Sequence, residues 1–254
     1  MIEIISGFII AFAIAITGVG AGTITAPMMI LYMDIEPSIA IGTALLFSFL
    51  VKIPVGISYM KQKLVNMKVL GQLLAGGIPG VIAGSILLGS AAKNPKLKAL
   101  ILCVVGFIVL LSAVINLIIM LRKVDISRHH GRMNKWIPVF ACLIGLEVGF
   151  SSAGAGAMGT LLLLYTTNLE PREVIATDII FGLALSSVGG GLHASMGHVD
   201  LHLLGFLIIG GFLGAWAGIV SSAKVPAKHL KLVLLVWLVF ISAMLIYRGI
   251  TGIL

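Results

Sequence analysis

The chain has 254 residues, of which 59% are hydrophobic and only 10% are charged, with a mean hydropathy of +1.18. A water-soluble globular domain does not carry that much apolar surface, so the composition excludes that class and predicts an all-α polytopic membrane protein of the cell membrane, with the lipid bilayer as its solvent. The net charge of +8 does not indicate nucleic-acid binding, because the basic residues fall in short loops, as they do in loops retained on the cytoplasmic side.

The first apolar segment, Ile4–Met33, holds 30 uncharged residues, which would make a helix about 45 Å long. Glycines within 18–22 and Pro27 interrupt it. The segment is too long for one crossing of a ~30 Å hydrocarbon layer and too short for two. Because Glu3 stands where a signal peptide has basic residues, we expect Ile4–Tyr32 to stay in the mature protein.

Further along the chain, three uncharged stretches are long enough to span a bilayer, namely Val69–Ala92, Ala99–Leu121 and Leu203–Ala223. Three more apolar stretches carry one internal charge each: Pro37–Met60 with Lys52, Trp136–Asn168 with Glu147, and Val174–Gly197 with Asp178. Pro37 and Pro171 each follow a glutamate and are predicted as helix starts. The polar stretch 122–135 has five Lys/Arg and two His and is predicted to be a cytoplasmic linker.

The two halves of the chain align without a gap when the sequence is shifted by 134 residues. The shift brings Gly20–Gly22 onto Gly154–Gly156, Glu36 and Pro37 onto Glu170 and Pro171, Thr43 onto Thr177, and glycines 71, 76, 77, 80 and 84 onto glycines 205, 210, 211, 214 and 218. A constant register of this kind indicates an internal duplication. We predict repeat 1 at 1–121, the linker at 122–135 and repeat 2 at 136–254, with about four hydrophobic segments in each repeat.

Each repeat starts with a glycine-broken segment, which is typical of a transporter binding site. Broken helices offer free backbone N–H groups and positive dipole ends near mid-membrane. The alternative is a glycine-rich helix kinked for close packing. The glycines at every fourth residue, 76, 80 and 84 in one half and 210, 214 and 218 in the other, form helix stripes. We assign these stripes to packing, with a homodimer contact as the alternative.

The membrane topology depends on whether each broken segment crosses the bilayer fully or turns back within it. If each is a re-entrant hairpin, every half crosses three times, the halves are inverted, and the loop Lys/Arg divide 12 to 4 between the two sides. If each crosses fully, there are eight spans and the division is 9 to 7. The positive-inside tendency favours the inverted arrangement, with a cytoplasmic linker and both termini outside.

Three ionisable residues, Lys52, Glu147 and Asp178, lie inside apolar stretches, where a charge costs roughly 2.5–3.5 kcal/mol on insertion scales. Each is therefore a functional candidate. Their counterparts in the other half are Ser186, Ala13 and Ala44, so no charge is duplicated. Lys52 could attract an anion, or it could snorkel to an interface or pair with one of the acids. Asp178 and Glu147 are candidates for proton or ion coupling, although Asp178 could also complement a helix start.

Other functional classes find little support in the residues. His193 sits near a membrane end, where interfacial anchoring is favoured over pH sensing. Cys103 and Cys142 lie in apolar segments and have no disulfide or metal-ligand spacing. No phosphate-binding loop and no nucleophile–base pair occur, so we expect neither an enzyme nor a bound cofactor or metal.

The repeated segment, Gly18–Thr23 with Pro27 followed by Ala40–Thr43, resembles the TauE/SafE sulfite exporter family. Gly154–Gly156 with Ala176–Asp178 resembles the second repeat of that family, and the likeness covers roughly residues 4–250. The resemblance implies a secondary transporter of small sulfur-containing anions such as sulfite, thiosulfate or an organosulfonate.

The resemblance also implies a position for the anion. Carried over by position, the residues around it would be Gly20, Gly22, Thr23, Thr43, Gly154, Gly156 and Thr177. Many relatives have glycine where this chain has Ala21 and Ala155, and Lys52 is not a family feature. Export by alternating access is the expected mode, and H⁺ and Na⁺ are the candidate coupling ions. An anion channel and a membrane subunit that docks a partner enzyme stay open as alternatives.

Overall fold

The computed structural model describes residues 2–17, 21–122, 135–153, 155–221 and 227–251. These residues form ten α-helices and, within these ranges, no strand. The helices are α1 Ile2–Thr17, α2 Ala21–Tyr32, α3 Pro37–Lys61, α4 Met67–Ala92, α5 Pro95–Arg122, α6 Ile137–Ser151, α7 Ala155–Thr166, α8 Pro171–Ser195, α9 Leu201–Ser221 and α10 Ala227–Thr251. The prediction of an all-α protein is confirmed.

Six of these helices, α3, α4, α5, α8, α9 and α10, are long and apolar enough to cross a membrane. The prediction of a multi-pass membrane protein is therefore confirmed. Helices α1, α2, α6 and α7 have 16, 12, 15 and 12 residues, which is short of the roughly 20 that a span needs.

The two long apolar segments of the sequence, Ile4–Met33 and Trp136–Asn168, each correspond to a pair of short helices, α1 with α2 and α6 with α7. Residues 18–20 and Gly154, on which the predicted glycine breaks depend, lie outside the described residues, as do residues 123–134 of the predicted linker. These predictions stay open.

The predicted helix starts are confirmed. Helix α3 begins at Pro37 and α8 begins at Pro171. At α8 the preceding Glu170 forms a capping box with Glu173, which satisfies backbone N–H groups of the first turn. Helices α2 and α3 begin and end 134 residues before α7 and α8, so the helix bounds follow the shift that aligns the sequence.

The glycine stripe of α4 packs against the backbone of α6 in the opposite half of the chain. A Cβ added at Gly76 would lie 1.7 Å from the carbonyl oxygen of Pro138, and one added at Gly80 would lie 2.1 Å from that of Cys142. Only glycine allows the two backbones to approach this closely. Because the residue numbers rise together along both helices, α4 and α6 run parallel.

The stripe of α9 makes the corresponding contact with α1. A Cβ added at Gly210 would lie 1.9 Å from the carbonyl oxygen of Ile4, and one added at Gly214 would lie 2.1 Å from that of Phe8. Helices α9 and α1 are therefore also parallel. The packing role predicted for the stripes is confirmed, and within one chain they are already covered.

Helices α3 and α8 cross at the centre of the molecule. Gly56 of α3 faces Ile180 of α8, whereas Gly190 of α8 faces Leu46 of α3. Since the late part of one helix meets the early part of the other, α3 and α8 run antiparallel.

Two ion pairs mark one end of the helix bundle, which we call the Asp34 end. Asp34 lies 3.4 Å from Arg248, and Glu36 lies 3.2 Å from Lys98. A cavity of about 320 Å³ at this end is lined by residues from the start of α1, the end of α2 and the α8–α9 loop: Glu3, Tyr32, Met33, Ile35, Asp200, His202 and Leu203. The start of α1 and the end of α2 therefore lie at the same end of the bundle.

Candidate functional site

The two long apolar segments of the chain, which hold α1 with α2 and α6 with α7, meet at the start of α2. A Cβ added at Gly22 would lie 1.8 Å from the carbonyl oxygen of Ser152, and the Ser152 hydroxyl donates a 3.1 Å hydrogen bond to the Gly22 carbonyl. Both residues are buried. Segments 130 residues apart in sequence thus touch through their backbones, and only glycine fits at position 22 without a shift.

Sequence reasoning missed Ser152. It follows the end of α6 with a φ of 59°, in the left-handed region, and its N–H bonds the Val148 carbonyl at 2.8 Å. The 134-residue shift aligns Ser152 with Gly18. Because glycine is the usual residue for a left-handed helix end, this alignment was a usable signal for a helix terminus.

Two helix N-termini open close to this contact. Helix α2 begins at Ala21 and α7 begins at Ala155, and the first-turn N–H groups of a helix have no partner within it. Gly22 and the buried Thr23 lie in the first turn of α2, and Gly156 lies in the first turn of α7. Gly20 and Gly154 are outside the described residues. The N-terminal end of each helix carries partial positive charge, and each follows the C-terminal end of α1 or α6, which carries partial negative charge.

The two predicted threonines are both fully buried and make matching hydrogen bonds. Thr43 accepts a 3.0 Å bond from the backbone N–H of Asp200, and Thr177 accepts a 3.1 Å bond from that of Asn66. The two N–H donors belong to the residues that precede α9 and α4. Each threonine therefore holds a helix start from the opposite half, while its own hydroxyl proton can still be donated.

Asp178 lies on α8 and is 5% exposed. Its Oδ2 accepts a 2.7 Å hydrogen bond from the hydroxyl of Thr160 on α7. Its Oδ1 is buried without a hydrogen-bond partner among the described residues, and a Cβ added at Gly159 would lie 2.0 Å from it. Thr160 and Gly159 are further residues that the sequence did not single out.

Glu147 lies on α6 and is 9% exposed. It lines a cavity of about 310 Å³ between α6 and α7, whose other walls are apolar: Phe140, Leu143, Ile144, Met158, Leu161 and Leu162. The Glu147 Oε1 has no hydrogen-bond partner in the described part of the chain. An unpaired carboxylate in apolar surroundings is costly, so this side chain favours a proton or a cationic partner.

Lys52 lies in the second half of α3 and is half-buried. No carboxylate of the described residues lies within 4 Å of it, so the predicted alternative of a direct ion pair with Glu147 or Asp178 is not formed. Its charge is nevertheless close enough to Asp178 to interact with it electrostatically. The charges of Lys52 and Asp178 therefore interact, although the two side chains form no direct ion pair.

The prediction that His193 anchors at a membrane interface is wrong. His193 is fully buried, and its Nε2 lies 3.1 Å from the carbonyl oxygen of Gly149 on α6. The chain folds back after α8, where the N–H of His198 bonds the His193 carbonyl, so the α8–α9 loop covers the ring. In the described ranges, His, Cys, Asp and Glu side chains form no group of three that could hold a metal ion.

The chain resembles known proteins over nearly its whole length. The family model described as sulfite exporter TauE/SafE matches residues 3–245. The probable membrane transporter protein YjnA of Bacillus subtilis (strain 168) is 28% identical over 246 residues, which cover 91% of this chain and 93% of the relative. The probable membrane transporter protein YunE of the same organism is 22% identical over 273 residues, covering 98% of each chain.

No solved structure matches the chain. The family match over most of the sequence, joined to six helices that can span a membrane, shows that the chain is a multi-pass membrane transporter protein of the sulfite exporter TauE/SafE family.

Proposed function

We propose that this chain is a secondary transporter that exports small sulfur-containing anions, namely sulfite, thiosulfate or an organosulfonate, by alternating access. The observation that carries the proposal is the contact of Gly22 with Ser152, where two helix N-termini from opposite halves converge. An oxyanion is recognised well by such a site, because backbone N–H groups and helix dipoles supply positive potential without a formal charge in the membrane.

The proposed architecture is two inverted repeats, each with a re-entrant hairpin. Helices α3 and α8 occupy corresponding positions and run antiparallel, as inverted repeats require. The contacts of α4 with α6 and of α9 with α1 pair corresponding residues, since Pro138 and Ile4, and Cys142 and Phe8, are 134 residues apart. Repeat 1 would cover 1–121 and repeat 2 would cover 136–254, with 122–135 as the linker.

The contacts at the Asp34 end support hairpins rather than full spans. Eight spans would put Asp34 and Arg248 on opposite sides of the membrane, yet these two residues form an ion pair. Eight spans would likewise separate Met33 from Asp200, which line one cavity. With six crossings all four residues lie on one side, which the positive-inside tendency makes the outside.

The residues proposed to surround the anion fall into two groups. Gly20, Gly22, Gly154 and Gly156 would leave backbone N–H groups accessible at the hairpin tips, and Thr23, Thr43 and Thr177 would offer hydroxyl protons. Lys52 would raise the local concentration of anions through its charge. Glu147 and Asp178 would bind the coupling ion, and H⁺ suits them better than Na⁺, because each is a single carboxylate rather than a cluster of oxygen ligands.

Export of an anion requires little energy from a coupled ion gradient. Each negative charge that leaves a cell held at about −100 mV gains roughly 2.3 kcal/mol. Rocking of one repeat against the other, with the hairpin tips as the fixed site, would open the anion to each side in turn.

The test is the flux of ³⁵S-labelled sulfite and thiosulfate in proteoliposomes under an imposed voltage, with Lys52→Ala, Asp178→Asn and Glu147→Gln as variants. We expect saturable, voltage-driven efflux that falls in Lys52→Ala. Non-saturating currents would instead favour an anion channel. Absence of flux for both anions and for an organosulfonate, in folded protein, would reject the proposal and favour a docking subunit.

A further inference from the structure

The hydrogen bond between Thr160 and Asp178 joins α7 to α8. Thr160 is on α7, one and a half turns after the N-terminus that the proposed anion site uses, and Asp178 is on α8. The second carboxylate oxygen occupies the space beside Gly159 where any larger residue would place its Cβ. The carboxylate thus holds α7 by one hydrogen bond to Oδ2, while Oδ1 packs against Gly159 without a hydrogen bond.

This connection has no equivalent in the first half of the chain. The counterparts of Thr160 and Asp178 are Ala26 and Ala44, and the counterpart of Gly159 is Thr25, whose hydroxyl bonds within its own helix to the Ala21 carbonyl. In the second half, Gly159 on α7 is the small residue and Asp178 on α8 is the large one. In the first half, Thr25 on α2 is the larger residue and Ala44 on α3 is the smaller one. The second half therefore has a hydroxyl and a carboxylate at two positions where the first half has alanine.

Chemistry makes this pair sensitive to a proton. A hydrogen bond to an ionised carboxylate is roughly twice as strong as one to a neutral group, so protonation of Asp178 would weaken its hold on Thr160. Among the helices packed on α8, α3 contributes Lys52, α6 carries Glu147, and α7 contributes the Thr160 hydroxyl. Helix α4 carries the exposed Lys68 in its first turn and no ionisable residue from Val69 to Ala92.

We propose that Asp178 takes up a proton during the transport cycle and that Thr160 is the positioning residue through which this proton loosens α7 from α8. The proposal rests on the transport function proposed above and adds the element that moves. The ionised carboxylate keeps the N-terminus of α7 in place, and the neutral acid releases it and no longer repels the bound anion.

Transport supplies the first test, with ³⁵S-thiosulfate as the probe, because it remains a dianion near neutral pH and leaves the protein as the titrating partner. Efflux is followed against internal pH at a fixed voltage. In the wild type, we expect efflux to rise as the internal pH falls. Thr160→Val should reduce the factor by which acid stimulates efflux about tenfold, because without the hydroxyl the ionised carboxylate no longer restrains α7. Thr160→Ser keeps the hydroxyl and should stay within about twofold of the wild type.

Thr166→Val is the matched control on the same helix, because its hydroxyl bonds only the Leu162 carbonyl within α7. It should behave like the wild type. Equal pH dependence in wild type and Thr160→Val, or wild-type efflux that does not respond to pH, would overturn the proposal while leaving the transport function intact.

Infrared spectroscopy supplies a second test that does not require transport. A pH titration of the purified protein should show the carbonyl stretch of a protonated carboxyl that is lost in Asp178→Asn, shifted in Thr160→Val and unchanged in Thr166→Val. This titration tests the coupling of Asp178 to α7 even if the protein carries no sulfur anion. A carbonyl band that keeps its position in Thr160→Val would refute that coupling.

Discussion

The two halves of the chain share a helical plan but carry different polar and proline residues. Prolines lie inside three helices of the first half, at Pro27, Pro54 and Pro79, and each lies where the second half has leucine or valine. Lys52 also belongs to the first half, whereas Glu147 and Asp178 belong to the second. The basic and acidic groups of the membrane interior are thus divided between the halves.

The hydrogen bonds follow the same distinction. The bonds from Asn66 to Thr177 and from Asp200 to Thr43 join corresponding residues, so both halves need them. The bond from Thr160 to Asp178 has no counterpart in the first half, where both positions are alanine. Matched contacts therefore identify the scaffold, and unmatched polar contacts identify candidates for function.

The largest effect is expected where the halves touch. Gly22→Val would place a branched side chain against the Ser152 carbonyl, where even a Cβ would lie 1.8 Å from that oxygen. Because the neighbouring atom is backbone, the chain at Gly22 and at Ser152 would have to separate, and we expect anion efflux from proteoliposomes to fall to background. Gly71→Val is the control, since nothing lies within 4 Å of its added Cβ. Normal efflux in Gly22→Val would show that the anion site does not lie at the contact of Gly22 with Ser152.

The next effect tests whether only the second half tolerates a buried acid. Ala44 is fully buried, and the position matching Thr160 is Ala26, so Ala44→Asp would bury a carboxylate without its hydroxyl partner. We expect a loss of several kcal/mol of stability, seen as a large drop in the unfolding temperature in detergent. Ala44→Ser should cost much less. If the Ala44→Asp protein were as stable as the wild type, the first half would tolerate a buried acid as well as the second half does.

The main helices and their starts could be predicted because they depend on local signals. Long apolar stretches predicted five of the six spanning helices, namely α3, α4, α5, α8 and α9, and proline after glutamate predicted the starts of α3 and α8. The 134-residue register also predicted which positions would correspond. These signals are read along the chain and need no knowledge of which helix packs on which.

The partners of the site could not be predicted, because they come from contacts far apart in sequence. Ser152 meets Gly22 across 130 residues, and His193 is buried by a loop that folds back onto α6 and α8. Thr160 resembled any other hydroxyl in an apolar helix until the structure placed Asp178 beside it. Charge alone was enough to single out Lys52, Glu147 and Asp178. The distances between these side chains could not be predicted from the sequence.

A smaller and symmetric effect is expected at the matched threonines. Thr43→Val and Thr177→Val each remove one hydrogen bond to a helix start, and each should cost about 1 kcal/mol in unfolding free energy. Thermal unfolding of the two variants would measure this. If both hydroxyls also bind the anion, the two variants should lose efflux together while Thr43→Ser and Thr177→Ser retain it. Loss in one variant alone would show that the halves contribute unequally.

The smallest effect is expected at the exposed ion pairs of the Asp34 end. Arg248→Gln and Lys98→Gln break single pairs in which the lysine and arginine side chains are 48% and 42% exposed. Because exposed pairs contribute little, we expect the unfolding free energy to change by about 0.5 kcal/mol or less. A larger change in Arg248→Gln would indicate that the pair with Asp34 holds the two halves together.

The most direct test of the account asks on which side of the membrane each loop lies. Single cysteines at Asp34, Lys63, Asn168 and Asp200, in a Cys103→Ala, Cys142→Ala background, can be reacted with a membrane-impermeant maleimide in oriented vesicles. Inverted repeats with re-entrant hairpins predict that positions 34 and 200 react from one side and positions 63 and 168 from the other. Reaction of positions 34 and 168 from the same side would contradict the account and establish eight full spans.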